Sequence, residues 1–336
     1  MHLRNEAMFL ILFGVFAWVT PAQPGPLQVQ NRFPIYLMFL SPQPASAQLP
    51  AQGVLKTYLS FDYSSIYVDE RSSEWQILMD MEMTVINLAL SYGLSHRAAV
   101  RLDIPLVHMG GGFLDGFLEN YHDALGVSNY GRESRPKNSF AYRMEKNGEL
   151  WLEGDAGGLQ LADATLSAQW SLVPVSGYSH FKASLIAALK VPTGRTRYGF
   201  GSGRLDVGLF LPVEFGSHPW SVYAMPGFIR HSDPKTRGAD VSVHPNASFL
   251  IGAAYDYSER LQLLAQLNYF SSPLEKTGIG MIDDGAVELA LGFRYHANPT
   301  WQVEFAFCED LFTRAAPDFN LHLGVTRFFT GLRNQK

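Results

Sequence analysis

From residue 54 onward, apolar side chains recur at every second position, and the residues between them are charged, polar or small. A period of two is the signature of strands with two unlike faces. In the stretch from Val287 to Tyr295, one face carries Val287, Leu289, Leu291, Phe293 and Tyr295, and the other Glu288, Ala290, Gly292 and Arg294. The stretch from Arg204 to Gly216 repeats the split, with Leu205, Val207, Leu209, Leu211, Val213 and Phe215 opposite Asp206, Gly208 and Glu214. About 12 such segments follow one another, near 54–63, 76–92, 96–108, 159–172, 180–191, 204–216, 219–230, 244–257, 260–270, 285–297, 300–308 and 318–329. Their connections alternate between tight links, as at Gly93 to Ser95 or Tyr257 to Arg260, and long ones, as at Ser64 to Trp75 or Met109 to Gly158. Bacterial membrane barrels have an even strand count, short periplasmic turns and long external loops. The pattern therefore predicts an all-β fold, a transmembrane antiparallel up-and-down β-barrel spanning residues 54–329 in the outer membrane of a Gram-negative bacterium.

Aromatic residues support that orientation. Tyr92, Trp170, Phe181, Phe215, Tyr255, Tyr257, Tyr295, Trp301 and Phe329 all fall beside a short turn or the last strand, on the face assigned outward. Amphipathic rings collect at the membrane-water interface, so these form one girdle. In the long connection, Phe113, Phe117, Leu118, Tyr121 and Leu125 make a helical stripe ending near Gly126, which predicts a helix in an external loop. Phe113, Phe117, Tyr121 and His122 are its candidate constriction residues.

The N-terminus departs from the alternation. Arg4 precedes an apolar run from Met8 to Val19, with small residues at Thr20 and Ala22, which reads as an export signal over residues 1–22. Residues 23–53 carry Pro24, Pro26, Pro34, Pro42, Pro44 and Pro50 and are read as a periplasmic lead-in or partial plug. Residues 330–336 are a short periplasmic tail. The composition fits this picture, with 13% aromatic and only 17% charged residues and no long apolar block. A net charge of -5 without a basic run excludes nucleic acid as a natural partner. The expected partners are outer-membrane lipid and lipopolysaccharide, with periplasmic chaperones and barrel-assembly machinery engaged transiently. Oligomeric state is not readable.

Several local phrases resemble a domain-of-unknown-function family of Gram-negative outer-membrane proteins: Gln30-Asn31-Arg32-Phe33-Pro34, the stretch from Gly110 to Gly131, and that from Gly157 to Leu172. A shorter phrase, Val191-Pro192-Thr193-Gly194 with Gly201-Ser202-Gly203 and Asp206, resembles barrels grouped under the meta-pathway phenol-degradation label. The resemblance implies an outer-membrane barrel and, from the second phrase, passage of small aromatic compounds. It brings no catalytic residues.

Polar positions on the assigned inner face supply the candidate site. Lys56, Glu82, Arg101, Asp103, Lys182, Lys190, Asp206, Glu214, Glu288, Arg294 and Glu304 are the expected lumen-lining residues, with Asp62, Asp80, Asp163, Arg204 and Asp256 on the same assigned face. A charge facing lipid at mid-depth costs about 2 to 4 kcal/mol for Arg or Lys, so such residues belong inside. They either line a solute path or knit a closed barrel together. On the same parity, Gly292→Ser is expected to be tolerated inside a polar lumen. Catalysis has little to stand on: there is no G-x-S-x-G elbow and no H-E-x-x-H site, and Ser179 and His180, adjacent on a strand, point to opposite faces. No metal or cofactor is expected. The sequence thus points to a passive channel or uptake barrel for small molecules, with a closed structural or interaction barrel as the alternative and a lipid-modifying hydrolase as a distant third.

Overall fold

The computed structural model describes residues 25–126, 131–173, 180–236, 238–274, 276–311, 315–317 and 319–330. In chain order its strands are β1 (Val54–Arg71), β2 (Trp75–Gly93), β3 (Ala98–Gly110), β4 (Ala141–Lys146), β5 (Glu149–Glu153), β6 (Gln160–Leu161), β7 (Ala164–Ser171) and β8 (Phe181–Val191). There follow β9 (Asp206–Phe210), β10 (Val213–Ser217), β11 (Trp220–Arg230), β12 (Asn246–Asp256), β13 (Leu261–Phe270), β14 (Ala286–Asn298), β15 (Trp301–Asp310) and β16 (Phe319–Thr330). Among the described residues three α-helices accompany them: α1 (Pro34–Leu37), α2 (Asp115–Leu125) and α3 (Gly280–Asp283).

Neighbouring strands pair antiparallel around a closed ring, because β1 pairs with both β2 and β16. Strands β9 and β10 are one wall strand interrupted at Pro212: β10 keeps the register that β9 holds against β8 and β11. Counted so, twelve strands close the barrel, in agreement with the alternating pattern. Leu59, Leu88, Leu166, Leu209, Ile251, Leu267, Leu291 and Leu323 all point outward and are exposed. A continuous apolar belt of that size is stable only against lipid, and it makes this a membrane-spanning barrel. At the short-turn end the belt finishes in rings, including Trp170, Phe181, Phe215 and Trp220, whose indole lies 4.7 Å from the Tyr255 ring.

Leu289→Arg should therefore block assembly, since it buries a cation in lipid, whereas Leu289→Phe should insert normally; the yield of folded, heat-modifiable protein measures both. The expectation that Gly292→Ser is harmless is overturned. Any Cβ at 292 would collide with the carbonyl oxygen of Phe305 on the adjoining strand.

Above the belt the wall departs from the sequence reading in two ways. The connection expected over Ser64 to Trp75 is mostly strand: β1 and β2 run on past the membrane and turn within Ser72 to Glu74. About 9 to 11 residues suffice to cross a bilayer, so the 18-residue β1 projects beyond it. The connection after β3 is also not all loop, since β4 and β5 form a hairpin that continues the wall on the edge of β2.

The interior is filled by residues 25–52. Leu27, Val29, Phe33, Ile35, Tyr36, Met38, Phe39 and Leu40 in this segment are all buried. Phe33, Ile35, Tyr36 and Phe39 belong to one apolar cluster with Met79, Met81, Met83, Val85 and Met109, inward-facing side chains of β2 and β3. Leu27, Val29 and Leu40 join Phe210, Met225, Leu250 and Leu264 in a second. Prolines suit such a thread, because a chain without N–H groups at several positions asks for fewer partners from a wall that is already fully paired.

Candidate functional site: the lumen and the segment that fills it

Two sets of inner-wall side chains grip the segment by its backbone. Side-chain parity brings the first together, because Glu304 and Arg294 are direct partners on β15 and β14, and Asp62 and His322 are partners on β1 and β16. Arg294 donates to the carbonyl oxygens of Gly25 (2.9 Å) and Pro26 (2.8 Å) and pairs with Glu304 at 2.9 Å. Glu304 in turn accepts from the backbone N–H of Gln28 (3.0 Å) and from the hydroxyl of Tyr58 (2.9 Å). His322 bridges the two carboxylates, 2.7 Å from Asp62 through Nδ1 and 3.2 Å from Glu304 through Nε2. Arg32, carried by the segment itself, closes the chain on Asp62 at 2.8 Å. Every charge here is buried and partnered, the condition under which an interior ion network is tolerated.

The second set explains the phrase from Val191 to Asp206. Lys190 donates to the carbonyl oxygen of Met38 (2.9 Å), to Asp163 (2.7 Å) and to Ser202 (2.7 Å), and lies 3.4 Å from Asp206. Asp206 accepts from the N–H of Leu40 (2.9 Å) and the N–H of Ser232 (3.0 Å), with His231 3.2 Å away. Asp163 accepts from the N–H groups of Gly194 (2.8 Å) and Ser202 (3.2 Å). Glycine is required at 194 and 201, because a Cβ at 194 would strike the carbonyl of Phe200 and one at 201 the Asp163 carboxylate. These residues thus fold an external loop into a clamp on Met38 to Leu40.

Of the residues singled out from sequence, Lys190, Asp206, Arg294 and Glu304 touch the segment directly, and Arg101 reaches it through Gln28 Oε1 (3.0 Å) while pairing with Asp103 (2.8 Å). Glu214 accepts from the Ser46 hydroxyl at 2.8 Å and pairs with Lys182 at 3.2 Å. Glu288 is buried against Asn268 (3.3 Å), and Lys56 lines a pocket at the short-turn end. Glu82 is a correction, and Asp80 with it. The register of β2 runs unbroken, so with Leu88 facing out these two also face out, and Met79, Met81 and Met83 face in. Above the membrane the outer face is covered by protein instead of lipid, so a carboxylate there has hydrogen-bond donors in place of a desolvation penalty. Glu82 accepts from the Tyr63 hydroxyl and from the N–H groups of Phe113 and Leu114, and Asp80 from Arg135 (2.6 Å) and the Ser139 hydroxyl.

The constriction assigned to the long-loop helix is also corrected. Helix α2 lies on the outside of the wall: Phe113 packs on outward-facing Tyr63 (ring centroids 5.7 Å), and Phe117 on Phe319 (6.2 Å), which in turn meets Phe307. An amphipathic stripe specifies that one helix face is covered, and carries no information about which side of a wall covers it. The side chains of Tyr121 and His122 lie outside the described residues, as do residues 1–22 and 331–336. Sequence reasoning missed Arg32, Gln28 and His322. Arg32 gave a usable signal, a lone cation within the proline-rich segment.

No three His, Cys, Asp or Glu side chains among the described residues converge as metal ligands.

Comparison with known proteins places this geometry. No curated protein sequence matches the chain. Among solved structures it is similar to the COG4313 outer membrane channel from Pseudomonas putida F1, with a TM-score of 0.56 and 15% identity over 86% of this chain and 100% of that one. That likeness shows a shared outer-membrane barrel fold. A more distant likeness is to the P. putida toluene transporter TodX, with a TM-score of 0.37 and 10% identity over 83% of this chain and 89% of that one. The profile described as "Protein of unknown function (DUF3187)" matches residues 7–329, and the chain belongs to that family.

Proposed function

We propose that this protein is a passive outer-membrane channel for small, largely apolar or aromatic solutes, held closed by its own N-terminal segment. The observation that carries this reading is the way the lumen is filled. A barrel that serves only as a scaffold can close with side chains of its own wall. Here much of the wall beside the segment is small, with Ser91, Ala99, Ser167, Ala188 and Gly208 on its inner face, and the volume is occupied by a separate stretch of chain held by apolar packing and by hydrogen bonds to its backbone. The relative whose fold it shares is named as an outer membrane channel, and the phrase from Val191 to Asp206 resembles barrels presumed to pass aromatic compounds. The protein is read as a non-enzyme. Residues 1–22 act as an export signal, 23–53 as the stopper with its lead-in, 54–329 as the barrel and 330–336 as a periplasmic tail. Lipid and lipopolysaccharide contact the apolar belt, and barrel-assembly machinery and chaperones handle the chain on its way there.

The test is entry of a small apolar fluorophore into cells whose lipopolysaccharide otherwise excludes it. Cells making the protein should take up the probe several-fold faster than cells making an unrelated closed barrel at equal level. Equal rates would defeat the channel reading and favour a closed structural barrel, for which the dense network around Glu304 would then be the main evidence.

A further inference from the structure

Between the N-terminal segment and the wall, at the short-turn end, the barrel leaves a pocket that opens to solvent. Register explains why it exists. One row of cross-strand partners runs Phe328, Lys56, Ser91, Arg101, Ser167, Ala188 and Gly208 across β16, β1, β2, β3, β7, β8 and β9. Two cations stand at one side of this row, and three small residues next to or between them, Ser91, Ser167 and Ala188, leave space in front of them. The far side of the pocket is apolar, built by Ile186, Ala188 and Phe210.

The two cations differ in what they are free to do. Arg101 is committed, through two bonds to Asp103 and one to Gln28. Lys56 has no carboxylate within salt-bridge distance among the described residues, and its ammonium lies 5.8 Å from the Phe328 ring centroid. The acid on the neighbouring inner wall, Glu304, is taken up by Arg294, His322, Tyr58 and the N–H of Gln28. An ammonium that faces a pocket with no carboxylate beside it is placed to take an anion.

We propose that this pocket binds small amphipathic carboxylates, with Lys56 taking the carboxylate and the wall of Ile186 and Phe210 taking an aromatic or branched apolar body. The solute class rests on the channel reading, since the pocket then serves as the periplasmic-side station of the path. The pocket sets polar side chains around the two cations against an apolar wall, an arrangement that suits an amphipathic acid. Ser91 and Ser167 flank the cations and offer hydroxyls to the second carboxylate oxygen.

The experiment measures binding of 4-fluorobenzoate to the purified full-length barrel by fluorine NMR, with uncharged 4-fluorobenzamide as the isosteric control. The benzoate should bind at least ten times more tightly than the benzamide. Lys56→Met should abolish that preference and Lys56→Arg should retain it, while the temperature at which the folded barrel unfolds in detergent stays within a few degrees for both. Equal binding of the two probes by the unaltered protein, or an undiminished preference in a folded Lys56→Met barrel, overturns the site. Either result leaves the fluorophore-entry test untouched, because that probe carries no charge.

Discussion

Replacing Glu304 with Leu should strip about 3 to 5 kcal/mol from the folded barrel, the usual consequence of removing one partner from a buried ion pair. Four groups lose an acceptor at once: the Arg294 guanidinium, the Tyr58 hydroxyl, the backbone N–H of Gln28 and the His322 ring. Arg294 would keep only neutral partners, the carbonyls of Gly25 and Pro26 and Gln262 Oε1 (3.2 Å). The readout is the temperature at which the compact barrel converts to the unfolded band in detergent gels, expected to fall by ten degrees or more. Glu304→Gln should fall between, since an amide still accepts from Tyr58 and Gln28. Gln302 is the control: it lies two residues away on the same inner face with its side-chain nitrogen unpartnered, so Gln302→Leu should change little. A Glu304→Leu barrel as heat-resistant as the Gln302→Leu barrel would show that the network contributes no stability.

Replacing Lys190 with Met should instead open the channel. The side chain fits by length, yet three bonds to Met38, Asp163 and Ser202 vanish, and the Asp163 and Asp206 carboxylates lose their shared cation. The wall has no easy relief, because its strands are held by the ladders of β7, β8, β9 and β11. The N-terminal segment does: if residues 38–40 leave, water reaches the bare carboxylates. If about 3 kcal/mol of the loss goes into that movement, the displaced population rises roughly a hundred-fold, at 1.4 kcal/mol for each factor of ten. In planar bilayers the variant should show frequent, long openings where the unaltered barrel shows rare ones. Lys190→Arg is expected to restore closure only in part, since a guanidinium cannot reproduce three bonds converging on one ammonium. Unchanged gating in a folded Lys190→Met barrel would remove the clamp from the account.

Much of the barrel was legible because its period is rigid. Once Leu289 is known to face lipid, parity alone places Glu288, Arg294 and, across the sheet, Glu304. The same reasoning failed at Glu82 and Asp80, since it assumed lipid outside along the whole strand, and β2 outruns the bilayer. Helix α2 was visible in its stripe of Phe113, Phe117 and Leu118, but which side of the wall it covers depends on where the chain turns at Gly110 to Gly112. Residues 25–52 are legible in the sequence as a lead-in or partial plug, but their contacts are not. A segment without periodicity leaves no trace of its neighbours, and its partners lie far along the chain, at Asp62, Asp206, Arg294 and Glu304. The phrase around Asp206 stands out in the sequence only as a resemblance; its role as a clamp depends on Lys190 and Asp163 converging on it in the fold.

In the proposed channel, solute passes only when the N-terminal segment moves away from the wall. Leu40 and Gly208 offer a way to pin it, because a Cβ at 208 would stand 2.9 Å from the Leu40 Cδ2 atom. In a protein with Cys308 replaced by Ala, Leu40→Cys together with Gly208→Cys is the pair to oxidise, with loss of reactive thiols as the check that the bond has formed. Openings in planar bilayers should be absent from the oxidised double variant and should return in the same membrane on adding a reductant. Equal activity before and after reduction would contradict the account, because it would mean that solute crosses the barrel with the segment locked in place.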